Sequence, residues 1–130
     1  MINSLNQLKW KIDVVVPVPL GVARLAERGY NQAALLARPV SLGMGLSYSS
    51  KALFRIRETR SQVELKASER KSNVKGAFQA RSELVDGKHV LVIDDVATTG
   101  STLGECARAL LEAGAAQVVG FTLARASYGL

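Results

Sequence analysis

Apolar residues in this chain cluster with two different periods. Residues 90–93, Val-Leu-Val-Ile, are a continuous apolar run rich in β-branched side chains, the pattern of a strand buried on both faces of a parallel sheet. Over residues 101–113 the period becomes helical. Leu103, Ala107, Leu110 and Leu111 fall on one face, Glu105, Arg108 and Glu112 on the other, and Gly114 stands where a C-terminal cap belongs. An earlier strand is predicted over residues 13–16, ended by Pro17 and Pro19. A short helical turn follows at 21–27. A helix then opens at Arg28-Gly29-Tyr30-Asn31-Gln32 and runs to about Arg38, where Pro39 ends or kinks it. The remaining pattern predicts a loop at 41–49, a strand at 51–55, a mobile loop or hairpin at 58–65, a helical stretch at 67–74 behind Ser68, a last strand at 117–123 and a tail at 125–130. The fold class is therefore α/β: an open, mainly parallel sheet of about four to five strands flanked by helices. With 130 residues the chain is expected to form a single domain, 1–130, carrying a flexible basic loop at about 55–66.

The junction between the 90–93 strand and the 101–113 helix carries the chemistry. It reads Asp94-Asp95-Val96-Ala97-Thr98-Thr99-Gly100-Ser101-Thr102. In open α/β sheets the ligand crevice lies beyond the carboxyl ends of the strands, where this segment falls. A helix N-terminus offers unpaired N–H groups and partial positive charge, Thr98, Thr99, Ser101 and Thr102 add hydroxyl donors, and Gly100 permits close backbone approach. Ionised Asp94 and Asp95 only accept hydrogen bonds, so they suit sugar hydroxyls or a metal ion. An acid pair followed by an anion cradle fits a ribose 5-phosphate. A Walker A loop is excluded because no lysine lies between Lys88 and the C-terminus, and no Gly-x-Gly-x-x-Gly fingerprint is present.

Charge sharpens this picture. The net charge of +6 resides in residues 51–81, which hold nine basic residues against three acids, a field that attracts phosphates on a small ligand or on nucleic acid. Phe54 and Phe78 are the only aromatics there, few for a base-stacking platform. The turn after the first strand has backbone donors at Val18, Leu20 and Gly21, because Pro17 and Pro19 have none. Cys106, the single cysteine, reads as a packing residue, and His89 as structural because it precedes the motif strand. Trp10 and Tyr30 read as packing residues. No apolar run approaches the roughly 18 residues of a membrane span, no signal-peptide core is apparent, and the expected compartment is the cytoplasm.

The 90–102 segment resembles the phosphoribosyl pyrophosphate (PRPP) motif of type I phosphoribosyltransferases. Pro17-Val-Pro-Leu20, Arg28-Gly-Tyr-Asn-Gln32, residues 57–62 with Leu65, Arg70 with Asn73, and Gly76-Ala-Phe78 are together similar to the ComF family, phosphoribosyltransferase-like proteins tied to bacterial competence and DNA uptake. The resemblance implies that Asp94 and Asp95 hold the ribose hydroxyls. It implies that Ala97, Thr98, Thr99, Gly100, Ser101 and Thr102 cradle the 5-phosphate, and that Val18, Pro19 and Leu20, with Arg28, meet the pyrophosphate. Mg²⁺ would accompany the ligand, bound largely through its oxygens and water. Residues 57–62 correspond to a flexible loop that closes over the ligand, with Arg57 and Arg60 as the catalytic cations. ComF proteins usually carry an N-terminal cysteine-rich zinc-binding segment that is not present in this sequence, so a short member or a piece of a longer protein is expected.

The implied activity is Mg²⁺-dependent transfer of a phosphoribosyl group to an unidentified acceptor. About 12 residues precede the first predicted strand and about five follow the last, so no acceptor-holding hood is readable. The alternative is a non-enzymatic competence factor that binds a nucleotide or single-stranded DNA during DNA uptake. The expected partners are PRPP or a related phosphorylated ribose, single-stranded DNA or a DNA-uptake protein, with a homodimer left open. A PRPP-sensing regulator is a third reading that sequence does not separate from the second.

Overall fold

The β-branched run at residues 90–93 becomes the centre of a parallel sheet. The structure, a computed structural model, describes residues 11–20, 29, 31–56, 75–97 and 101–125, with 95–97 and 123–125 described by their backbone alone. In chain order the elements are β1 (Val14–Pro17), α1 (Gln32–Met44), β2 (Ser47–Tyr48), β3 (Leu53–Arg55), β4 (Phe78–Ala80), α2 (Ser82–Val85), β5 (His89–Ala97), α3 (Ser101–Glu112) and β6 (Gln117–Arg125). The main sheet has the order β2-β1-β5-β6, and every pairing in it is parallel. A separate antiparallel pair joins β3 to β4, with Arg55 opposite Phe78.

Strand periodicity distributes the apolar run to two cores. Val90 and Val92, with Val14 and Val16 of β1, face Cys106, Ala109 and Leu110 of α3, together with Leu53 and Phe78 of the small hairpin. Leu91 and Ile93, with Val15, face Ala37 and Val40 of α1. One helix therefore covers each face of β5, which explains why both sets of its side chains are apolar.

Four differences from the expected elements have physical causes. Helix α1 passes through Pro39 and ends at Gly45, whose φ of 69° terminates it. Pro39 lies on the exposed side, where a carbonyl deprived of its helical donor is open to solvation, while Val40 and Ser41 are buried and reward continuation. The last part of the expected 41–49 loop pairs with β1 as an edge strand. The expected 51–55 strand is shorter and belongs to the hairpin instead of the main sheet, because residues 78–80, distant in sequence, supply its antiparallel partner. Helix α3 buries Cys106, Ala109 and Leu110, whereas Leu111 is exposed, so its buried face is rotated from the one predicted. The expected segments at 21–27, 58–65 and 67–74, Trp10, Tyr30 and the tail beyond Arg125 lie outside the described residues.

The cap at Gly114 is formed as expected. Ala115 N–H donates to Leu110 O and Gly114 N–H to Leu111 O, while Gly114 O accepts from Gly87 N–H. Its φ is 107°, and a methyl group there would run into the Asp86 carboxylate. Gly114→Ala is expected to destabilise the domain by about 1–3 kcal/mol in chemical denaturation, through backbone strain and this clash.

Candidate functional site

The first strand ends beside the middle of the fifth. Pro17 is in register with Ile93, and the chain leaving β1 stays attached to β5 because Val18 N–H donates to Ile93 O at 2.9 Å. The two proline-bounded positions of this turn are held from outside. Asn31 Nδ2 donates to Val18 O at 3.1 Å, and Arg55 Nε donates to Pro19 O at 2.8 Å. The turn that lacks proline donors is thus fixed by three bonds from three distant segments. Val18 N–H is committed to Ile93, so Val18 shapes the turn, and the described turn's remaining backbone donor is Leu20 N–H.

Asn31 has a second task. Its Oδ1 accepts from Ala33 N–H at 2.9 Å and Ala34 N–H at 3.3 Å, which caps α1. One amide group therefore joins the Pro17–Leu20 turn to the start of the helix that covers β5.

Asp94 follows Ile93 in β5 and is only 8% exposed. The strand was expected to end before the acid pair. It continues to Ala97 because β6 runs beside it, with Asp94 opposite Thr122 and Ala97 opposite Arg125. Asp94 and Asp95 therefore belong to a regular strand end, ahead of α3. Ser101 and Thr102 are half-buried in the first turn of that helix. Below them Cys106 is fully buried. Desolvation raises its thiol pKa well above the usual range, and the nearby Asp94 charge adds to this, opposed by Arg55. Asp94 and Arg55 thus both lie within electrostatic reach of one buried sulfur.

The hairpin that carries Arg55 is braced where β3 leaves it and β4 enters it. Ile56 N–H donates to Ala77 O, and Gly76 N–H donates to Glu105 Oε2 at 3.1 Å on α3. Glu105 also pairs with Arg108 at 2.8 Å. Partial burial would raise its pKa, but the Arg108 and Gly76 hydrogen bonds hold it below the ordinary carboxylate value. Arg55 stacks over the Phe78 ring, 4.8 Å from its centroid, and Arg81 lies over Phe54 while Nη1 donates to Lys51 O. Two of the basic residues in the 51–81 stretch therefore have structural partners.

The expected site residues divide clearly. Val18, Pro19, Leu20, Asp94, Ser101 and Thr102 lie at the carboxyl edge of the sheet or the start of α3. Asp95 and Ala97 belong to β5 and are described by their backbone. Arg28, Arg57, Arg60, Thr98, Thr99 and Gly100 lie outside the described residues. His89 sits at the opposite strand end, where Nδ1 is 3.0 Å from Gln117 Oε1 and its N–H donates to Asp13 Oδ2. Among the described residues, no three His, Cys, Asp or Glu side chains gather as a metal cage. No described helix is long and apolar enough to cross a membrane. Sequence reading missed Asn31 and Arg55 as framework. Asn31 had a signal, a capping residue type directly before a helix, whereas Arg55 acts across 36 positions and had none.

Two outcomes are expected from this geometry. Asn31→Ala should cost about 1–2 kcal/mol in denaturant unfolding. Asn31→Asp should recover only part of that, since a carboxylate caps the helix but cannot donate to Val18 O. Equal stability of Asn31→Asp and the unaltered protein would remove the Val18 bond from the account. Second, Cys106 should resist an exposed-thiol reagent at pH 8 in the folded protein and react fully once denaturant is added.

Comparison with known proteins agrees with this arrangement. Residues 1–127 match the model of the phosphoribosyl transferase domain. The chain is 46% identical over 114 residues to DNA utilization protein YhgH of Escherichia coli K12, covering 87% of this chain and 49% of that protein. It is 36% identical over 124 residues to Competence protein F of Haemophilus influenzae, covering 93% of this chain and 53% of the relative. The chain thus spans about half the length of the curated relatives it matches. Its fold is similar to the glutamine PRPP amidotransferase of B. subtilis solved with ADP and GMP, at a TM-score of 0.61 and 22% identity, over 93% of this chain and 25% of that one. The matched domain and the parallel sheet agree: the chain belongs to the phosphoribosyl transferase domain family.

Proposed function

We propose that this domain binds PRPP or a closely related phosphorylated ribose at the carboxyl edge of its sheet. The observation that carries the reading is the nearly buried Asp94 on β5, placed between a turn bonded to the same strand and the start of α3. Asp94 and Asp95 would accept from the ribose hydroxyls. Ala97, Thr98, Thr99, Gly100, Ser101 and Thr102 would receive the 5-phosphate at the helix N-terminus. The Val18–Leu20 turn, with Arg28, would receive the pyrophosphate.

Mg²⁺ fits this donor set as a passenger of the ligand. It retains water and takes most of its oxygens from phosphates, so it needs no three-residue protein cage. When bound, it would neutralise charge on the pyrophosphate. The protein's own task is to orient the sugar, exclude water and supply Arg57 and Arg60 as cations to the leaving group. Departure of pyrophosphate leaves positive charge on the sugar ring, which requires no protein nucleophile. The proposed reaction is transfer of the phosphoribosyl group to an acceptor not yet identified.

A second reading is favoured by the competence and DNA-utilization names of the relatives and by the +6 segment at 51–81. In it the domain binds PRPP or nucleotide without turnover and contacts single-stranded DNA or a DNA-uptake partner. Thermal-shift titration separates these ideas. Millimolar PRPP with Mg²⁺ should raise the melting temperature by several degrees, since saturation to about 100 times Kd contributes about 2.7 kcal/mol. The pair Asp94→Asn with Asp95→Asn should abolish the shift and any pyrophosphate release. No shift with the unaltered protein would overturn the reading. Binding without pyrophosphate release, together with salt-sensitive DNA binding, would select the second reading.

A further inference from the structure

We propose that Arg55 is a positioning residue that sets the orientation of the Pro19–Leu20 peptide, and through it the specificity of the site for a pyrophosphate-bearing ligand. The inference rests on the PRPP-binding reading above. Arg55 Nε donates to Pro19 O at 2.8 Å. The described peptide bonds include no cis bond, and in a planar trans peptide the carbonyl and the following N–H point in opposite directions. Fixing Pro19 O toward Arg55 therefore turns Leu20 N–H away from it. Because Val18 N–H is donated to Ile93 and Pro19 has no N–H, the aim of this peptide governs what the described turn can offer an anion.

The arginine is itself held in place. It stands opposite Phe78 in the β3–β4 ladder, and its guanidinium stacks on that buried ring 4.8 Å from the centroid. The hairpin is locked by the Ile56–Ala77 bond and, at its returning strand, by Gly76 bonded to Glu105 of α3. A rigid donor thus runs from the helix that begins the phosphate cradle, through the hairpin, to the pyrophosphate turn.

Side-chain chemistry provides the test. Glutamine places a neutral amide nitrogen as many bonds from its Cα as Nε is in arginine, so Arg55→Gln keeps a donor and removes the charge, while Arg55→Met keeps the stem and removes both. Calorimetric titration of each protein with PRPP, inorganic pyrophosphate and ribose 5-phosphate, all with Mg²⁺, reads the outcome. Arg55→Met should weaken PRPP and pyrophosphate about tenfold, the loss of one well-made hydrogen bond, and leave ribose 5-phosphate affinity unchanged. Arg55→Gln should recover most of that loss. Equal weakening of all three ligands in both variants would make Arg55 a framework residue and overturn the proposal. It would also be overturned if Arg55→Gln were as weak as Arg55→Met, because the charge would then act on the ligand directly. Failure of the unaltered protein to bind ribose 5-phosphate or PRPP would instead sink the underlying PRPP reading.

Discussion

The bond from Val18 N–H to Ile93 O is the constraint on which the site depends. It extends the β1–β5 pairing one residue past the end of β1, so the proline turn leaves the sheet beside the strand that carries the acid pair. Without it, a segment with two prolines has few means of fixing its own backbone, since neither proline donates and each restricts the residue before it. With it, the turn begins from a fixed point, and its next two carbonyls are taken by Asn31 and Arg55. Each bond closes a long stretch of chain, so the turn's shape belongs to the folded domain and not to local sequence.

Both cores converge on the same strand end. Leu91 and Ile93 are locked against α1, and Val90 and Val92 against α3 and the hairpin. Asp94 then emerges from a rigid strand next to a buried thiol, where little water is available to screen it. A carboxylate so placed keeps its orientation before any ligand arrives, which reduces the cost of ordering on binding. The bonds from Ile56 to Ala77 and from Gly76 to Glu105 tie the hairpin to itself and to α3.

The sequence made the central strand, both major helices and the strand–helix junction that carries the acid pair legible, because each rests on a short-range signal. These are a β-branched run, a 3.6-residue period with a terminal glycine, and an acid pair before a hydroxyl-rich helix start. It was less informative where tertiary contacts outweighed local preference. Pro39 looked like a helix end, yet burial of Val40 and Ser41 carried α1 on to Gly45. The acid pair looked like loop, yet the neighbouring strand β6 extended β5 through it. Residues 51–55 read as a strand, but their partner at 78–80 lay too far away in sequence to identify. The exposed Leu111 shows the limit of period counting on a short helix: Cys106 turned inward as a packing residue, as expected, and Ala109, absent from the predicted face, turned inward with it.

The same contrast separates the motif residues from those that anchor the neighbouring turn. The acids, hydroxyls and glycine between β5 and α3 are contiguous in sequence, so a motif can contain them. The anchors of the proline turn are Ile93, Asn31 and Arg55, drawn from a strand, a helix cap and a hairpin, and no spacing rule links them. Two of the three bonds reach side chains and the third reaches a backbone carbonyl, so only Asn31 and Arg55 leave a trace in residue identity. Asn31 cannot be exchanged for another capping residue without losing its donor to Val18, and Arg55 has to be both long enough to reach Pro19 and flat enough to stack on Phe78. A residue with two simultaneous geometric tasks is more restricted than one with a single task. On that ground Asn31 and Arg55 are more restricted in identity than their distance in sequence from the acid pair would suggest.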